Sequence, residues 1–184
     1  FITSVWTDSV EPFVRSSWMF MAYGCISAWQ GKSPDKKAFA RNYASVMYPN
    51  SAKEMGEAFD NIALSIDYLK KCLGKNTQSM PRGTLVEAWS NPFSAYYLTN
   101  TEAHSAEFRE VRKYSEEAQV NLLDALPKAS ASDSAFIHSL LVSARLINYS
   151  ATRFIWAKAI VDRWNYAMLI KKKEDYVIYD LTYP

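Results

Sequence analysis

Between Ala135 and Lys171 the chain carries neither glycine nor proline, and no other feature narrows its fold so far. The stretch lacks the two residues that most readily stop a helix. Its apolar residues recur at helical rather than alternating spacing. As one straight helix it would be about 55 Å long at 1.5 Å per residue, longer than a small domain is wide. A bend or break is therefore expected within it, at Asn148-Tyr149-Ser150. The chain as a whole has only five glycines and seven prolines in 184 residues, too few for the many tight turns of a β-sandwich. That length suits one ordinary domain with at most a small appendage.

Helical signals also dominate upstream. Ser33-Pro34 is placed to cap a segment whose apolar positions Phe39, Tyr43, Val46 and Met47 keep helical spacing, and Tyr48-Pro49 ends it. Ser51-Ala52-Lys53-Glu54 has the form of a capping box. It opens a helix with Met55, Phe59, Ile62, Ile66, Leu69 and Leu73 on one stripe, and Gly74 is a natural C-cap. Lys75 to Gly83 reads as a loop. Asn91-Pro92 starts a short helix through Leu98. Thr101 can cap a charged helix to Leu126, with Phe108, Val111, Ala118, Leu122 and Leu126 inward, and Pro127 to Ser134 is a small, polar linker.

The two ends differ from this pattern. Ile2 to Trp6 is β-branched and aromatic, as in a short strand. Thr7, Asp8 and Ser9 are N-cap types, and Pro12 suits a first helical turn. Phe13 to Trp29 is apolar on most faces, the mark of a buried helix. At the other end Val177, Tyr179, Leu181 and Tyr183 alternate, as in an edge strand or an extended strap. The fold class expected is all-α: an antiparallel helical bundle preceded by one short strand/helix unit.

Charge and composition exclude several functions. The net charge is +2, and acidic residues accompany the Lys and Arg, so no nucleic-acid face stands out. Lys171-Lys172-Lys173 is the one cationic cluster; Glu174 and Asp175 follow it, as at a charged helix end. The longest apolar stretch, Trp18 to Trp29, is shorter than the roughly 20 residues a bilayer requires, so no membrane span is expected. Cys25 and Cys72 lack metal spacing and sit among apolar residues, so both are expected as buried free thiols. The opening Phe1-Ile2-Thr3-Ser4-Val5 has no initiator Met and no signal peptide, which sets the expectation of a fragment or processed product.

Few motifs carry chemistry. His104 and His138 are the only histidines; neither lies in HExxH or ExxH, so no metal is expected. His104 with Glu107 fits a solvated helix face. There is no nucleophile elbow and no glycine-rich phosphate loop. Asn148-Tyr149-Ser150 fits a glycosylation sequon but falls within an expected helix. Six Trp, twelve Tyr and nine Phe are compatible with sugar stacking. Core packing accounts for most of them, since Trp29, Tyr43, Phe59, Trp156 and Trp164 lie on helical stripes. Trp6 and Asp8 stand apart: two apart on an extended segment, they project together where a strand ends. In a (β/α)₈ barrel that edge carries the active site. The alternative is that Asp8 caps the next helix and Trp6 is core.

The opening Ile2-Thr3-Ser4-Val5-Trp6-Thr7-Asp8, with Arg15-Ser16-Ser17-Trp18 and Ala22-Tyr23-Gly24 through Ala28-Trp29-Gln30, resembles the end of the catalytic barrel in family 20 glycoside hydrolases, the β-N-acetylhexosaminidases. The resemblance implies that residues 1–31 are the last β/α unit of a (β/α)₈ barrel and residues 32–184 a C-terminal helical domain such as some bacterial members carry. It implies that Trp6 lines the subsite of a terminal N-acetylhexosamine and that Asp8, in place of the family's Glu, accepts hydrogen bonds from its hydroxyls. The family's Asp-Glu pair, which serves a substrate-assisted retaining mechanism, lies on earlier strands, so no residue here is catalytic and no cofactor is implied. The partners implied are an N-acetylhexosamine-containing glycan and the rest of the barrel, in an extracytoplasmic setting. A helical carbohydrate-binding module and a protein-interaction or assembly module, with a possible homodimer, are the alternatives. With the barrel absent, Trp18, Phe20, Met21 and Ile26 are expected to pack against the bundle, leaving Trp6 and Asp8 at an edge.

Overall fold

The computed structural model describes residues 14–73 and 90–170. Among them are six α-helices and no strand: α1 (Val14–Gln30), α2 (Lys36–Met47), α3 (Ala52–Leu73), α4 (Ala95–Ala103), α5 (Ser105–Ala125) and α6 (Ala131–Ile170). The all-α class is therefore observed. The expected strand at Ile2–Trp6, the Gly74 cap, the loop from Lys75 to Gly83 and the alternating tail from Tyr176 lie outside the described residues.

Helix boundaries follow local polar chemistry. Asp35, rather than Ser33-Pro34, caps α2: its carboxylate accepts a 2.7 Å hydrogen bond from Ala38 N. Pro49 then opens a 3₁₀ turn, Pro49–Ser51, before α3. Thr101 does not start a helix. It lies buried inside α4, where its hydroxyl donates to Tyr97 O at 2.7 Å, and the chain breaks at His104 instead. The linker expected over Pro127 to Ser134 shrinks to a 3₁₀ turn, Leu126–Lys128, and two residues. Ser130 starts α6 because its hydroxyl accepts from Asp133 N at 3.2 Å and donates to the Asp133 carboxylate at 2.6 Å.

Helix α6 corrects the largest expectation. It runs 40 residues without a break, about 60 Å at the ordinary rise. The residues expected to interrupt it satisfy their polar atoms without leaving the helix. Ser150 donates back to Leu146 O at 2.8 Å, Thr152 donates to Asn148 Oδ1 at 3.1 Å, and Asn148 reaches Glu116 at 3.3 Å. Local side-chain bonds of this kind compete with a helix at its ends and coexist with it in the middle.

The chain forms two compact units, one from residues 1–63 and 117–144, the other from 64–116 and 145–184. In the first, Met55, Ala58 and Phe59 of α3 meet Ala118 and Leu122 of α5 and Ile137 and Leu141 of α6 in one core. Tyr48 seals it, stacked on Phe136 with centroids 6.2 Å apart. Helix α2 enters through its small residues Ala40 and Ala44. Gly56 permits the close approach, since a Cβ there would stand 3.4 Å from Arg41 Cα and 3.7 Å from Ala44 Cβ. This explains why Val46, expected inward, is 79% exposed: the buried face centres on Ala40 and Ala44, about 140° round the helix from Val46.

The second unit buries Leu69, Cys72 and Leu73 of α3, Phe108 and Val111 of α5, and Ile147 and Phe154 of α6. Phe154 lies between Tyr97 and Phe108, at 4.9 and 5.6 Å. The short helix α4 is tied in at both ends. Tyr96 donates to Leu73 O at 2.7 Å, and Lys158 pairs with Glu102 at 3.6 Å. Buried Ser115 donates to Arg112 O at 2.9 Å, so it enters the core with its hydroxyl satisfied.

Phe136→Ala is expected to cost about 3–5 kcal/mol by removing a buried ring. Val46→Ala should change stability by less than about 0.5 kcal/mol. Urea unfolding of both variants checks that the core of the first unit uses Phe136 of α6 and leaves Val46 of α2 outside it.

Candidate functional site

Trp6 and Asp8 lie outside the described residues, and so does the strand expected to present them. What the structure does place is the helix that follows, α1, whose backbone carries Arg15 and Trp18 of the family resemblance. This helix has two apolar stripes. Met19 and Tyr23, one turn apart, belong to the first. Met19 packs on the core of the first unit, and Tyr23 meets Phe39 edge-on at 5.1 Å while donating to Pro34 O at 3.0 Å.

The second stripe is Trp18, Cys25 and Trp29, at i, i+7 and i+11, with Met21 beside it. Trp29 is 92% exposed, Trp18 43%, and Met21 and Ile26 each 37%. The expectation that Trp18, Met21 and Ile26 are packed away against the bundle is therefore corrected; the Phe20 side chain is not described. The bundle takes one face of α1, and a helix presents only about a third of its circumference to a single neighbour. The other stripe is less covered, and Trp29 is its most exposed member. Gly31, at φ 64°, ends the helix in the left-handed conformation that glycine adopts without strain.

A second exposed aromatic surface lies on α6. Trp156 is 48% and Trp164 53% exposed, with Ile160 and Met168 also in solvent. Core packing was the expectation for Trp29, Trp156 and Trp164, and it is overturned for all three. It holds for Phe59, which is buried, and for Tyr43, which packs at the edge of the core. Helical periodicity marks a stripe but not which stripe the fold covers.

The titratable groups outside these surfaces have structural settings. Burial pushes the Cys72 thiol up to about 12, far from the lowered value a nucleophilic cysteine requires. Cys25, expected buried, is exposed, and both thiols are free. Lys158 is raised by its hydrogen bond to Asp162, the opposite of what a nucleophilic amine needs. Asp60 is raised by burial against α2, where Lys37 and Arg41 oppose the shift. His104 and Glu107 form an i,i+3 pair at 3.9 Å, partly exposed. The described residues hold no cluster of three or more metal-ligating side chains. None of the helices among them is long and apolar enough to cross a membrane. The Asn148-Tyr149-Ser150 sequon lies mid-helix with Ser150 buried.

Glu54 and Lys128, 74 residues apart in sequence, form an ion pair within the first unit, 2.5 Å apart. The Lys128 hydrogen bond holds the Glu54 carboxyl below its ordinary value of 4.5. Compared with family models, with curated proteins and with solved structures, the chain matches none of them.

A thiol reagent at about pH 8 should therefore modify Cys25 in the native protein and reach Cys72 only after denaturation, which mass spectrometry of the labelled peptides checks. A lowered carboxyl stabilises the fold above its unfolded value and loses that contribution as pH falls through the folded value. Glu54→Gln should accordingly remove a small, acid-sensitive increment, below about 1 kcal/mol because Lys128 is half-exposed. It should be seen as a smaller fall in stability between neutral pH and a pH well below 4.5, measured by urea unfolding.

Proposed function

We propose that this chain is the C-terminal part of a glycoside hydrolase resembling the β-N-acetylhexosaminidases. In this reading residues 1–31 are the last β/α unit of its (β/α)₈ barrel, and the helices beyond are a supporting domain. The observation that carries it is the second stripe of α1. A helix apolar on most of its circumference is covered on more than one side in its working setting, and the outer helix of a barrel is covered by the strands beneath it. The Trp18, Met21 and Trp29 surface supplies such a seat on the helix that carries the family resemblance. Trp6 then closes one side of the sugar subsite and Asp8 accepts hydrogen bonds from sugar hydroxyls. The acid and the acetamido-orienting carboxylate come from the remainder of the barrel. The glycan is one with a terminal N-acetylhexosamine, and the setting is extracytoplasmic.

A second reading, a helical carbohydrate-binding or protein-interaction module, is favoured by Trp156 and Trp164 on α6. Sugar recognition needs polar groups for the hydroxyls beside an aromatic plate. The stripe that joins these tryptophans through Ile160 is apolar, so the interaction form fits it better.

The purified chain is expected to leave a chromogenic N-acetylglucosaminide intact, and measurable turnover would overturn the fragment reading. In an enzyme with the complete barrel, Asp8→Ala should lower kcat/KM by about ten- to a hundredfold. That is the loss expected for a charged hydrogen bond worth ~1.5–3 kcal/mol. Unchanged kinetics would remove Asp8 from the sugar subsite.

A further inference from the structure

We draw no further inference here: the strongest candidate, the exposed apolar ridge of Trp156, Ile160, Trp164 and Met168 along the last turns of α6, carries nothing because nothing among the described residues shows what covers it.

Discussion

The unbroken helix α6 is the constraint on which the remaining structure depends. It contributes Phe136, Ile137, Leu141 and Ala144 to the core of one unit and Ile147, Ala151, Phe154 and Ala157 to the core of the other. Within each unit these residues recur at intervals of three and four positions, apart from the adjacent pair Phe136 and Ile137, as a helix facing a core requires. Stability of the helix comes from this packing rather than from intrinsic propensity, as is usual in proteins.

Polar atoms are handled so that the helices need not end. Thr101, Ser115 and Ser150 are buried, and each donates back to a carbonyl three or four residues earlier. An unsatisfied hydroxyl in the same places would cost about 1–3 kcal/mol. Between helices, long side chains make the ties: Arg153 donates to Ser90 O, and Lys128 reaches Glu54. Small residues do the opposite work. Ala40, Ala44 and Gly56 remove bulk where α2 and α3 approach each other.

The tryptophans divide by what their helices pack against. On α1 the bundle engages Met19 and Tyr23, and Trp29 faces water. On α6 the core engages Phe154 and Ala157, and Trp156 and Trp164 face water. An indole in solvent forfeits hydrophobic stabilisation of the order of 1.5–3 kcal/mol that burial would supply. Two such surfaces on one chain mark the faces where further protein is most readily seated. The first is the proposed seat for the rest of a barrel.

Much of the helical layout is set by the residues themselves. The scarcity of glycine and proline, the stripe from Met55 through Leu73 and the inward row of Phe108, Val111, Ala118 and Leu122 correspond to helices found in place. These features are local, and a periodic apolar row needs no knowledge of its partner to form a helix. The continuity of α6, the break at His104 and the outward turn of Val46 were decided by tertiary structure. Each depends on which neighbour comes close and on whether a hydroxyl or amide finds an acceptor there. The same holds for the candidate sites. A sequence states that Trp29, Trp156 and Trp164 lie on apolar stripes, and only the packed structure distinguishes a stripe that is covered from one left open.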